Sequence, residues 1–162
     1  MVNFQRRHLA ASKGHSEIVK ILAPLTSNPY ATDVDGWTPM HWASCRGHTE
    51  IVQTLAPLSD NPNAPNKNGD TPIYWAACRG HTEIVKILAP MTDNPNAPNK
   101  DGYTPIEVTR SAEIRRILEA FNTSRKHNAG PFVIISNLLY RAIFKTSLQH
   151  LCLTLLNICI NR

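Results

Sequence analysis

A 33-residue period runs through most of this chain and restricts what it can become. Gly14, Gly47 and Gly80 are 33 residues apart, as are Gly36, Gly69 and Gly102, and Pro24, Pro57 and Pro90. Residues 36–68 and 69–101 differ at nine positions and agree at 24 of 33, too many for coincidence. A chain repeated at that interval makes units too small to bury their own apolar faces, so each must be covered by its neighbours, as in a solenoid or a propeller. The period marks a degenerate first unit at 1–35, complete units at 36–68 and 69–101, and a shortened unit at 102–124. Residues 125–162 leave the pattern altogether.

The backbone chemistry of one unit predicts two helices. Thr38, Thr71 and Thr104 each precede a proline, and a threonine N-cap followed by proline in the first turn starts a helix without sacrificing a hydrogen bond. This helix A runs through HWASC or YWAAC with Trp42 and Trp75 expected inward, and Gly47 and Gly80 end it in a left-handed conformation. Helix B begins at HTEIV, with Glu50 or Glu83 near the positive end of its dipole. Its apolar residues Ile84, Val85, Ile87 and Leu88 recur at helical spacing. Pro57 and Pro90 are expected to stop it. The segments NPNAPNKNG and NPNAPNKDG then supply turns leading to the next unit.

The motifs DG-x-TP, WAACRGHTEIVKIL and N-A-x-N-K-D-G resemble those of the ankyrin repeat over about residues 3 to 120. The resemblance implies an all-α solenoid of stacked antiparallel helix pairs with hairpin fingers, used to hold partner proteins and generally without catalysis. LAPLS and LAPMT depart from the family's usual ending, so helix B is expected to stop about a turn early. At the N-terminus, Gln5-Arg6 stands where Thr-Pro stands elsewhere. The unit is either an adapted terminal repeat or the remnant of a longer array. In the last unit Thr104 to Glu107 reads as a capping box, and polar residues from Glu107 to Glu119 suit a terminal cap, with the array ending near Phe121.

Several function classes recede. His15, His48 and His81 share one repeat position, and His8 and His41 share another; identical positions stepping along a stack do not converge, so these histidines read as structural. No metalloprotease, nucleophile-elbow, phosphate-loop or paired-cysteine motif occurs, and neither enzyme activity nor a cofactor or metal is expected. The net charge of +5 is spread along the chain, and without a DNA-reading motif no nucleic-acid partner is expected. The N-terminal stretch lacks the apolar core of a secretory signal. An intracellular, cytoplasmic or nuclear, monomer with reduced cysteines is the expectation, and the Asn122-Thr123-Ser124 sequon is expected to be unused.

The resemblance also implies where a partner would sit, on the finger tips and the exposed end of helix A. Residue by residue these are Val34, Asp35 and Trp37, then Lys67, Asn68 and Asp70, then Lys100, Asp101 and Tyr103 on the fingers. On helix A they are Ser12 and Lys13, Cys45 and Arg46, Cys78 and Arg79. Trp37, Tyr103, Arg46 and Arg79 stand out, because aromatic and arginine side chains dominate binding hot spots. Trp37 could instead pack on its own finger. The strongly apolar residues 131–162 are read as one or two amphipathic helices folding back on the last repeat. One alternative is a membrane tether, although Lys145, Gln149, His150 and Asn157 interrupt the best window for a span of about 20 apolar residues; another is an atypical terminal exon with no evolved structure.

Overall fold

The computed structural model describes residues 2–25, 28 and 30–127. The apolar segment 131–162, with its expected packing or tethering, lies outside the described residues. Among the described residues eight α-helices alternate in pairs: α1 (Val2–Lys13) with α2 (Ser16–Leu22), α3 (Pro39–Arg46) with α4 (Thr49–Leu55), α5 (Pro72–Arg79) with α6 (Thr82–Leu88), and α7 (Pro105–Val108) with α8 (Ala112–His127). The first helices of successive pairs pack on one another, α1 on α3 on α5 on α7, and the second helices form a parallel row. No strand occurs among the described residues.

The local signals operate as read. The Thr38, Thr71 and Thr104 side chains accept hydrogen bonds from the backbone N–H of His41, Tyr74 and Glu107. Gly47 closes α3 at φ 79°, where a Cβ would also lie 2.6 Å from the His81 ring. Only glycine meets both demands. The prolines act less abruptly than expected. α4 and α6 end at Leu55 and Leu88, but Ala56–Leu58 and Ala89–Met91 add a 3-10 turn around Pro57 and Pro90. A missing N–H costs little near the start of such a turn.

The core is a strip of residues contributed at the same repeat positions. Met40 and Ile73 from the first helices, and Ile51, Leu55, Ile84, Leu88, Ile114 and Leu118 from the second, are all buried. Ala10, Ala11, Ala43, Ala76 and Ala77 line the helix contacts with small side chains. Ser44 stands where Ala11 and Ala77 stand in the flanking repeats, and its buried hydroxyl has no hydrogen-bond partner. Ser44→Ala is therefore expected to raise unfolding free energy by about 1 kcal/mol, measured by urea denaturation; a loss of stability would contradict this packing.

The two ends are unlike. In the first repeat Arg7 occupies the position of Met40 and Ile73, and it is buried with its guanidinium donating to the Asn28 carbonyl at 2.7 Å. Ile18, at the position of Ile51, Ile84 and Ile114, is 46% exposed, and Leu25 is 74% exposed. In the last repeat Glu107 takes the His41 position, and its carboxylate accepts from both the N–H and the hydroxyl of Thr104 at 2.8 Å, which completes the expected capping box. These hydrogen bonds hold the Glu107 carboxyl below its usual range. The final helix passes Phe121 and runs to His127.

Candidate protein-binding face

The fingers are rigid because side-chain amides and carboxylates organise their backbones. Asp33 Oδ1 accepts from the N–H of Asp35 and Trp37 at 3.0 and 2.8 Å. Asn66 does the same for Asn68 and Asp70 at 2.8 and 2.9 Å, and Asn99 for Asp101 and Tyr103 at 3.1 and 2.9 Å. Successive fingers are then tied through backbone bonds, from Lys67 N–H to the Asp35 carbonyl at 3.2 Å and from Lys100 N–H to the Asn68 carbonyl at 2.9 Å. Polar turns held in this way present their tips in a row.

Histidines fasten one repeat to the next. His8 Nε2 lies 3.0 Å from the Trp37 carbonyl and His41 Nε2 3.1 Å from that of Asp70. His48 and His81 reach back to the carbonyls of Ser12 and Cys45, at 3.2 and 3.3 Å. The structural reading of these four positions is thereby given its geometry. Among the described residues no three His, Cys, Asp or Glu side chains converge as metal ligands would.

The candidate contact residues divide by exposure. Val34, Asp35, Lys67, Asn68, Lys100, Asp101 and Tyr103 are exposed at the fingers, and Lys13, Arg46, Cys78 and Arg79 are exposed on the helices. Ser12 and Cys45 are half-buried; Cys45 and Cys78 are free thiols. Asp70 is not a surface residue. Only 6% exposed, it accepts from Asn99 Nδ2 at 2.9 Å and from Asn66 Nδ2 at 3.4 Å. Its carboxylate is consumed in joining two fingers, which removes it from the contact set.

Trp37 does not stand alone on its finger either. Its ring is 4.6 Å from that of Trp42 and 5.1 Å from that of Trp75, so all three tryptophans of the chain form one cluster spanning two repeats. The expectation that Trp42 and Trp75 point inward holds only in part: Trp42 packs against the edge of the core, and neither is fully buried. Both are half-buried, because on α3 the buried residues are Pro39, Met40, His41, Ala43 and Ser44, which leaves Trp42, Cys45 and Arg46 on the opposite side at helical i, i+3, i+4 spacing. Trp75, Cys78 and Arg79 repeat the stripe on α5, and Leu9, Ser12 and Lys13 on α1. Trp42 and Trp75 are thus additions to the face that the sequence reading missed. Their i, i+4 relation to Arg46 and Arg79 was the available signal.

A one-residue difference distinguishes the two indoles. Trp42 Nε1 donates to Asp33 Oδ2 at 3.3 Å. One repeat later the equivalent of Asp33 is Asn66, whose Oδ1 already serves two backbone groups and whose amide nitrogen donates to Asp70. Trp75 Nε1 is accordingly left without a partner. Tyr74 covers Trp75 edge-on, with ring centroids 5.7 Å apart.

On α2 and α6 the lysines are paired with glutamates. Lys20 bridges Glu17 and Glu50 at 2.8 and 2.6 Å, and Lys86 bridges Glu83 and Glu113 at 2.8 and 2.9 Å. The paired carboxylates hold both lysines above their ordinary range. These pairs are solvent-exposed and mainly set helix register.

The family model for ankyrin repeats matches residues 7–65 and 58–118 of this chain, in agreement with the repeating helix pairs and turns. No curated protein sequence matches it significantly. Ankyrin repeats are generic protein-interaction modules and are typically non-enzymatic. The matched segments cover more than half of the sequence, and the chain belongs to the ankyrin-repeat family.

Proposed function

We propose that this chain is a non-enzymatic adaptor or scaffold that holds a partner protein against the face formed by the finger tips and the solvent side of α1, α3 and α5. The supporting observation is the three-tryptophan cluster beside the exposed Arg46 and Arg79. Trp and Arg are enriched among interface anchors, the indole because it desolvates a large area with only two rotors. The scaffold chemistry beneath goes into repeat-to-repeat bonds, and among the positions that differ between the two complete repeats, Trp37/Asp70 and Asn68/Asp101 lie on the fingers. Trp37→Phe leaves the cluster an aromatic ring, whereas Trp37→Ala opens it.

The test is affinity capture with the full chain, followed by calorimetry with the purified partner. Trp37→Ala, or Arg46→Ala with Arg79→Ala, is expected to weaken that partner's binding by more than about 1 kcal/mol, with the helical circular-dichroism spectrum retained. Unchanged affinity in both variants would overturn the assignment of this face.

A further inference from the structure

Three cations on the proposed face are arranged differently from Lys20 and Lys86 on the helix B row. Lys13, Arg46 and Arg79 occupy one repeat position, the last turn of α1, α3 and α5. All three are exposed, and none forms an ion pair with a described residue, while Lys20 and Lys86 are each clamped between two glutamates. A cation in a helix's last turn complements the dipole, which accounts for the position but not for the absence of carboxylates around it. The acidic residues exposed on the fingers, Asp35 and Asp101, belong to the tips, whereas the cations lie at the far end of each first helix.

We propose that Lys13, Arg46 and Arg79 form a charge ladder that reads an extended acidic segment of a partner protein, with a carboxylate at every third residue. This rests on the protein-binding reading above and assigns the partner's chemistry. α1, α3 and α5 pack side by side, so equivalent residues recur at about 8 to 10 Å. An extended segment in the polyproline II conformation advances about 3.1 Å per residue with three residues per turn, so every third side chain returns to the same face. Three partner residues therefore match one step of the stack, and Asp or Glu at i, i+3 and i+6 meets the three cations in turn. Between the carboxylates the segment crosses Leu9, Trp42 and Trp75, each four residues before its cation. Apolar residues are favoured there. An α-helical partner advances about 1.5 Å per residue and would need carboxylates seven residues apart to keep them on one face, a different pattern from the one proposed.

The probe is a pair of ten-residue synthetic peptides of identical composition, one with Glu at positions 2, 5 and 8, the other with three consecutive Glu, titrated into the full chain while tryptophan fluorescence is followed. The spaced peptide is expected to bind about tenfold more tightly at low salt and to lose that advantage as ionic strength rises. Arg46→Ala and Arg79→Ala should each remove about fivefold of its affinity. Arg46→Glu with Arg79→Glu should prefer the corresponding peptide carrying Lys at positions 5 and 8. Equal binding of the two Glu peptides, no binding of either, or tighter binding of a single-stranded oligonucleotide than of the spaced peptide overturns the ladder. If the ladder fails while Trp37→Ala still weakens the captured partner, the protein-binding face stands and only its acidic specificity falls.

Discussion

Ile84→Ala should destabilise the chain by about 2 to 5 kcal/mol, whereas Ile18→Ala, the same substitution at the same repeat position, should cost less than about 1 kcal/mol. The two helices concerned are SEIVKIL in α2 and TEIVKIL in α6, alike but for their first residue. Helix propensity, neighbours in sequence and rotamer restriction are therefore nearly matched, and the difference lies in cover. Ile84 has another helix pair on each side and is fully buried, while Ile18 is 46% exposed. Truncating the first leaves a cavity walled by Ile51, Val85 and the adjoining residues of the core. Truncating the second removes surface that water already reaches. Urea denaturation of the two variants measures the difference. Equal costs would show that the face bearing Ile18 is covered in solution, and would overturn the asymmetry between the two ends of the stack.

Acidification supplies the second large effect. Burial pushes the His41 imidazole down from its ordinary 6.5 to about 4, outweighing the favourable hydrogen bond to the Asp70 carbonyl. The ring is neutral in the fold: Thr38 N–H donates to its Nδ1 at 3.1 Å, and Nε2 donates to Asp70 at 3.1 Å. Adding a proton places an N–H on Nδ1 directly against the Thr38 N–H, which ends the capping box. Because the folded value lies below the unfolded one, the unfolded chain binds more protons throughout the interval between them. Stability is full above about pH 6.5, falls as pH drops toward 4, and levels off below. The loss should reach roughly 3 kcal/mol. Glu50 and Glu107 carry carboxyls held below their ordinary 4.5, chiefly by hydrogen bonds from Lys20 and Thr104, so their losses begin lower. His41→Gln should flatten the pH profile between about 6.5 and 4.5. A variant that keeps the wild-type slope would remove His41 as its source.

The His41 position shows why some of the molecule could be read from residues and some could not. His41, Tyr74 and Glu107 are one repeat position, and the threonine three residues earlier announces a helix start in all three. The role of that third residue depends on its neighbours beyond the unit. His41 is buried against the next finger and uses both ring nitrogens, whereas Glu107 is exposed and turns its carboxylate back on its own cap. The same holds at the finger position shared by Trp37, Asp70 and Tyr103: the first packs across two repeats, the second is buried between asparagines, and the third is 57% exposed.

Sequence alone determined the period, the two helices of each unit, the threonine caps and the left-handed glycines, because those features are set within a few residues by backbone sterics and local hydrogen bonds. It also determined the family. Tertiary structure alone decided which side chains the face displays. Trp42 and Trp75 are half-buried, Trp42 against the edge of the core, Asp70 lies inside, Arg7 is buried at a core position, and Ile18 is exposed at one. Each of those outcomes is fixed by contact with a residue about one repeat away, or by the absence of such a neighbour. Burial in a stacked array is a property of the pair of units, and a unit's own sequence specifies only one side of it.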